Sequence, residues 1–418
     1  MGKISDDADA VWRGERSLGE EPWLMFGGLE ELTDSVAFVA SFCNVIAIDT
    51  EAGLLVIDTG SAITGAAAAA DVQAWCKQRG RPFDVHSIVY THGHLDHVMG
   101  APSFRTPKTR VVGHRAIADR FDRYKKTAGY NGAINRRQFR MPGLEWPKSF
   151  EYPDVHYEHS LSLDLAGRKI ALLHDRGETD DHTWVWIEDR KTICTGDLFI
   201  WAAPNCGNPQ KVQRYPAEWA QALRKMIPLE AELLLPGHGP PIIGADRVRR
   251  ALDETAELLE TLVEQTLHWM NEGAPLDVVV CKVVAPEHLL ERPYLRPVYD
   301  EPEFVVRNLW RLYGGWWDGD PASLKPAPKP ELADEIADLC GGAMKLAKRA
   351  RDLSDAGEHR LACHLAELAG LAAPYDAGVG ALRAEVYRAR IAEETSLMAK
   401  SVYRAAAAEP ANRGFERE

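Results

Sequence analysis

A short apolar run, "VHSIVYT" (85–91), leads without a break into "HGHLDH" (92–97). The run has the length and composition of a buried strand. Its C-terminal end therefore delivers three imidazoles and a carboxylate, groups that are costly to bury unless something satisfies them. His92 and His94 alternate, so on an extended tip they point the same way. Asp96 and His97 follow as the chain turns into a helix, and they face a second point. That arrangement suits two divalent ions held close together, not one closed structural site.

Two ions need further ligands, and the rest of the chain offers them in a repeated pattern. From 36 to about 245, short apolar runs alternate with helical stretches. "NVIAIDTEAGLLVIDTG" (44–60) reads as a hairpin turning at Glu51–Gly53. "SAITGAAAAADVQAWCKQRG" (61–80) reads as a helix, with Ser61 as its N-cap and Gly80 as its stop. "RKIALLHD", "HTWVWIEDR", "KTICTGDLF" and "AELLLPGHG" each read as a strand with a polar tip. Strands that end in His, Asp or Glu place their loops at one edge of a sheet, where α/β active sites lie. Glu178, Asp197 and His238 each follow such a run. Any one of them alone would pass as a turn residue; together they complete a shell around the opening cluster.

Composition sets the outer limits. A chain of 418 residues suggests two domains, and 45% hydrophobic with 27% charged residues is a soluble globular balance. A net charge of −13 argues against nucleic acid as a partner, because no basic stripe is available to neutralise phosphates. Seven scattered cysteines without a CxxC pair suit reduced thiols. The first residues lack the apolar core of a signal peptide, and no run of 18 apolar residues occurs. The expected compartment is the cytoplasm, with no membrane partner.

The stretch Thr91–His97 resembles the THxHxDH signature of the metallo-β-lactamase superfamily, and "VIDTG" (56–60) resembles its early Asp-bearing turn. The resemblance runs over residues 25–245 and implies an αββα sandwich with metals at one edge of two facing sheets. Carried over, the first metal would take His92, His94 and Glu178, and the second Asp96, His97 and His238, with Asp197 bridging. The family's usual ligand at position 178 is His. Glu there is similar to one branch only, the alkyl sulfatases. "RLYGGWWDGDPASLKPAP" (311–328) and the helices from 331 onward also resemble that branch, which carries an all-helical dimerisation domain. The resemblance then covers residues 25–405. Asp197 stands where that branch usually has a second Glu, and its closing sterol-carrier-like domain is not expected in this sequence.

The expected fold class is thus α/β: a metallo-β-lactamase sandwich (1–245), a helix and wrapping linker (246–330), and a helical dimerisation domain (331–418). Within the last, Ala356–Tyr387 has the spacing of a tetratricopeptide-like helix pair, which cannot bury its apolar face alone. A homodimer is the expected assembly.

The expected chemistry is that of a dinuclear metallohydrolase. Mixed His and carboxylate ligands suit Zn2+, with Mn2+ or Fe2+ open at an oxygen-enriched site. Water held between two divalent ions loses its proton near neutral pH, so no Ser or Cys nucleophile is needed. Asp96, Asp197, His182 and Asp181 form the candidate catalytic set, the last two as orienters, and Asp58 is a similar candidate. An anionic ester needs a cation beside the metals. "GYNGAINRRQF" (129–139) offers Arg136 and Arg137 with Tyr130 and Asn131, and "APNCGNPQKVQR" (203–214) offers Asn205 and Lys211. The expected substrate is a small sulfate ester, alkyl or aryl. Alternatives are a thioester, lactone or phosphoester on the same metals, and, more distantly, a non-catalytic metal-binding scaffold.

Overall fold

The computed structural model describes residues 3–19 and 27–411. The chain divides into two compact units, Met1–Asn131 with Glu145–Gly315, and Gly132–Leu144 with Trp316–Glu418.

In the first unit the described residues form two sheets. One contains β1 (Gly28–Thr33), β2 (Val36–Ala40), β3 (Val45–Thr50), β4 (Gly53–Ile57), β5 (Val85–Val89), β6 (Arg110–His114) and β7 (Val155–Tyr157), in that order. The other contains β8 (Ser160–Leu165), β9 (Arg168–His174), β10 (Thr183–Ile187), β11 (Thr192–Ile200), β12 (Leu233–His238) and β13 (Ile242–Ile243). The expected 44–60 hairpin is β3–β4, paired antiparallel from Ile46↔Ile57 to Thr50↔Gly53. Strand β5 then runs parallel to β4, and β12 parallel to β11.

Side-chain alternation sorts each strand between two layers. Ile46, Ile48, Leu55, Ile57 and Val89 meet Val185, Ile187, Cys194 and Leu235 between the sheets. Their neighbours Ala47, Val56 and Ile88 face outward onto helix Gly65–Gln78 and onto Ile117 and Phe121 of helix Ala116–Lys126. On the opposite side Trp184, Ile193 and Leu234 pack with Trp219 and Leu223 of helix Pro216–Met226 and with Leu252 and Leu259 of helix Ala245–Asn271. Both faces of both sheets are covered, which is why these strands read as unbroken apolar runs. The αββα sandwich expected from the sequence is the observed fold.

Two local expectations change. The helix expected from Ser61 starts at Gly65, because the Ser61 hydroxyl accepts from the amides of Ile63 and Thr64 and closes a turn instead. The segment after helix Ala245–Asn271, expected as a wrapping linker, contributes Leu289, Tyr294, Leu295, Val305 and Leu309 to the outer core. It belongs to the first unit as far as Gly315.

The second unit contains helices Lys329–Cys340, Ala343–Asp355, His359–Ala372, Ala377–Glu393 and Leu397–Ala408. Ala350, Ala362, Ala366 and Ala369 are fully buried, and such small side chains let the helices approach closely. The helix pair expected at Ala356–Tyr387, which carries Leu361, Leu365, Leu368 and Leu371, is expected to need a partner surface. Instead Leu365 and Leu368 pack into the unit's own core and Leu371 is buried, leaving Leu361 exposed. The expected helix pair fails to be solitary because the neighbouring helices cover it.

Candidate metal centre

Each member of the opening cluster is placed by the end of a strand. The loop after β5 carries His92 and His94, and a single helical turn, Leu95–Val98, carries Asp96 and His97. The β9–β10 connection supplies Glu178, β11 supplies Asp197, and β12 ends at His238. The sheets are tied at this edge by the Thr183 amide, which donates to the Thr91 carbonyl at 2.6 Å. Two glycines allow the crowding. Gly196 has φ +50, and a Cβ there would stand 2.7 Å from Thr91. A Cβ on Gly237 would stand 2.2 Å from Asp197 Oδ1.

The seven expected ligands come together in two groups. In the first, Glu178 Oε2 lies 3.6 Å from His92 Nε2 and 3.5 Å from His94 Nδ1, and Asp197 Oδ2 lies 3.9 Å from His92 Nε2. In the second, His238 Nε2 lies 3.4 Å from Asp96 Oδ2, and His97 Nε2 lies 3.8 Å from the same oxygen. Asp197 reaches both groups, with Oδ1 3.4 Å from His97 Nε2 and Oδ2 3.5 Å from His238 Nε2. Donors about 2.1 Å from one tetrahedral ion stand about 3.4 Å apart, so these spacings fit first-row divalent cations.

In the first group the electrostatics fit as well. Burial, together with the imidazoles of His97 and His94, holds His92 well below the usual imidazole range. Burial and the Arg120 and Arg214 cations do the same to His94. Both rings are therefore neutral and offer lone pairs. Burial pushes the Glu178 carboxyl up to about 7, with the Arg214 cation opposing and the Asp197 charge reinforcing. Burial also works against the Asp197 charge, but His238 and His97 outweigh it and hold that carboxyl well below its usual range. Among the described residues, the inward atoms His97 Nε2, Glu178 Oε2 and Asp197 Oδ1 are buried without a hydrogen bond. Buried polar atoms without partners are rare, and a cation is the natural partner for this set.

Around the donors lies a holding layer. His97 Nδ1 sits 2.7 Å from Asp58 Oδ2, and Asp58 Oδ1 accepts from the Thr91 amide at 2.8 Å. His238 Nδ1 donates to the Phe42 carbonyl. His182 Nε2 accepts from the Asp197 amide at 3.1 Å, and its ring stacks on His92 with centroids 4.9 Å apart. Asp181 lies outside the donor groups: its Oδ2 accepts from Arg120 Nε at 2.6 Å and from the Gly93 amide at 3.1 Å, fixing the peptide between His92 and His94.

Family models match two stretches of the chain. The metallo-β-lactamase superfamily matches residues 39–238, and alkyl sulfatase dimerisation matches residues 276–413. The chain thus carries a stretch similar to the metallo-β-lactamase superfamily, followed by one similar to the alkyl sulfatase dimerisation family. It is 28% identical to a linear primary-alkylsulfatase of Pseudomonas sp. over 357 residues, covering 79% of this chain and 66% of that protein. It is 24% identical to an (R)-specific secondary-alkylsulfatase of Pseudomonas sp., covering 82% of this chain and 56% of that one. The structure of the stereoselective inverting sec-alkylsulfatase Pisa1 from Pseudomonas sp. shares its fold at a TM-score of 0.80 and 23% identity, over 91% of this chain and 65% of that chain. The chain thus spans less than two thirds of the length of these relatives. No described helix is long and apolar enough to cross a membrane.

The candidate anion-binding residues separate. Asn205 donates through Nδ2 to Glu178 Oε1, so it supports a donor instead of facing outward. Lys211 is half-buried beside the cluster, where its charge interacts with Glu178 and Asp96 and its Nζ lies 5.8 Å from the Trp146 ring centroid. Tyr130, 67% exposed, and Asn131, bonded to Thr127 Oγ1 at 2.8 Å, lie on helix Ala128–Phe139. Arg136 and Arg137 lie on the same helix but fall in the second unit, where Arg136 Nη1 donates to the Leu144 carbonyl at 2.9 Å.

Sequence reasoning missed Arg214, Arg120, Cys43 and Tyr299. Arg214 closes the stretch from which Asn205 and Lys211 were picked, and nothing local distinguishes it. Cys43 Sγ lies 3.3 Å from His97 Nδ1. Burial, and then the charges of Glu178 and Asp96, push the Tyr299 phenol well up.

Proposed function

We propose that the chain is a sulfate-ester hydrolase holding two divalent ions. His92, His94 and Glu178 serve one ion, Asp96, His97 and His238 serve the other, and Asp197 bridges them. The observation that carries the reading is the convergence of these seven side chains, three of which, His97, Glu178 and Asp197, turn inward buried atoms without a hydrogen bond among the described residues. The ester class is supported by the paired domain matches and by relatives that are alkylsulfatases. Four imidazoles favour Zn2+, and three carboxylates leave Mn2+ or Fe2+ as further choices.

Bound there, divalent ions would supply a water of lowered pKa and an electrophilic pull on the ester oxygen. The chain's own residues prepare that chemistry. Asp58 fixes the tautomer and orientation of His97, and the Phe42 carbonyl does so for His238. The Arg120–Asp181 pair pins the Gly93 peptide. Burial, with the Arg214 cation, pushes the Lys211 ammonium down to about 8, so at neutral pH it still carries a charge for a sulfate oxygen. A sulfate ester has one negative charge and a weakly basic leaving oxygen. It needs electrostatic clamping more than a strong general acid. The assembly we propose is a homodimer, supported by the dimerisation-family match.

A panel of sulfate, phosphate, lactone and thioester substrates, run with elemental analysis, tests the reading. Sulfate turnover lost on chelation and restored by metal is expected. Turnover of another ester class in its place would overturn the substrate assignment. Two bound ions with no turnover would favour the scaffold.

A further inference from the structure

The two oxygens of Glu178 live in different surroundings. Oε1 is taken by Arg214 Nη1 at 2.5 Å and by Asn205 Nδ2. Oε2 is buried without a hydrogen bond among the described residues and faces His92 and His94. Arg214 is itself 2% exposed, and its Nη1 also donates to the Asn205 carbonyl at 2.8 Å. A buried ion pair is weak evidence for stability, since desolvation offsets its Coulomb energy. This one sits against a candidate ligand, where it has a chemical consequence.

We propose that Arg214, aided by Asn205, is the positioning residue that fixes Glu178 as a one-oxygen ligand presenting Oε2 alone. A free carboxylate can offer a metal either one oxygen or both. With Oε1 saturated by charge-assisted donors, the second mode is closed. The coordination number of the first site stays low and leaves room for an exchangeable ligand, as open catalytic sites require. Arg214 also sets the charge. Three carboxylates against two divalent ions leave one net positive charge. Arg214 raises it to two and the Lys211 ammonium to three, enough to hold one hydroxide plus one singly charged ester. The proposal rests on the metal reading above, and only the charge count rests on the ester class.

Co2+ substitution reads coordination directly, without turnover. Metal-stripped protein is loaded with Co2+ and its visible absorption compared among the unsubstituted chain, R214Q, R214K and N205A. Loss of a donor to Oε1 should let Glu178 swing to two-oxygen binding, and the weaker band of a higher-coordinate ion should follow. The expected result is a fall of about twofold or more in R214Q, a smaller fall in N205A, and a spectrum close to the original in R214K. If R214Q fails to fold by circular dichroism, N205A carries the test. Unchanged spectra at equal Co2+ content in N205A and in every Arg214 variant that folds would overturn the proposal. Failure to bind Co2+ at all would overturn it together with the metal reading. A chain that binds Co2+ and shows the expected shift, yet hydrolyses no sulfate ester, would leave the proposal standing and remove only the ester assignment.

Discussion

Asp58 Oδ2 stands 2.7 Å from His97 Nδ1, and this contact turns the other ring nitrogen, Nε2, toward Asp96 and Asp197. Asp58 reaches it from the end of β4 with φ +54, a left-handed conformation held by its two bonds to Thr91. The pair is a carboxylate–histidine unit of the kind that orients metal ligands. Asp58→Ala should weaken the ion at the Asp96–His97–His238 group by about 10- to 100-fold. Competition with a chromophoric chelator measures this, and an unchanged affinity would remove Asp58 from the site.

Asp197 reaches both groups through its two oxygens. Asp197→Ala should therefore deplete both ions, not one. Elemental analysis after dialysis is the check. One tightly retained ion in fully active protein would defeat the two-metal reading.

Lys211 provides the contrast between charged and neutral substrates. Lys211→Met should lower kcat/KM for a sulfate ester by about 10-fold or more, and barely change it for a lactone. Arg136→Ala and Arg137→Ala are the companion variants. A loss confined to the arginine variants would move the anion site from Lys211 to that pair, and equal losses on both substrates would indicate damage to the fold.

Stability should fall on acidification through a histidine pair outside the donor groups. His114 and His174 stack with centroids 3.7 Å apart. His114 Nε2 donates to the Glu158 carbonyl and His174 Nδ1 to the His182 carbonyl, while His114 Nδ1 accepts from the Ala116 amide, a bond that only the neutral ring can make. Burial, and then His174, lowers His114 to about 4, and burial lowers His174. An unfolded histidine titrates near about 6.5, so the unfolded chain binds these protons first. Stability from the pair is complete above that value and is lost as pH falls from about 6.5 toward about 4. His114→Gln should flatten the fall in denaturation midpoint between those limits. An identical pH profile in the variant would refute this.

The helical unit should make the chain a dimer, although its own core already buries most of the leucine stripe. Leu332, Leu339 and Leu361 are 50%, 87% and 51% exposed. A monomer mass by light scattering at micromolar concentration would exclude the dimer.

Much of this molecule is legible without coordinates because the signals are local. The β3–β4 hairpin follows from alternation around Glu51–Gly53, and the helix at Ala245–Asn271 from its periodic apolar face. His92, His94, Asp96 and His97 declare themselves because no packing role explains four such groups at the tip of a buried strand. Ser61 misled because a serine before a helix closes a turn as readily as it caps.

What the sequence by itself determined is which seven side chains converge, since strand ends carry them in order and each strand's apolar run marks where its tip falls. Only tertiary structure decided how those donors are held. Arg120 meets Asp181 across 61 positions, Asn205 meets Glu178 across 27, and Arg214 lies among buried groups that no periodicity marks. These are single side-chain contacts between distant loops, and nothing in a local pattern separates a buried arginine that neutralises a ligand from a solvated one. The pairing exists because two sheets close over each other and exclude water, so each charge in the seam must find its partner across the fold.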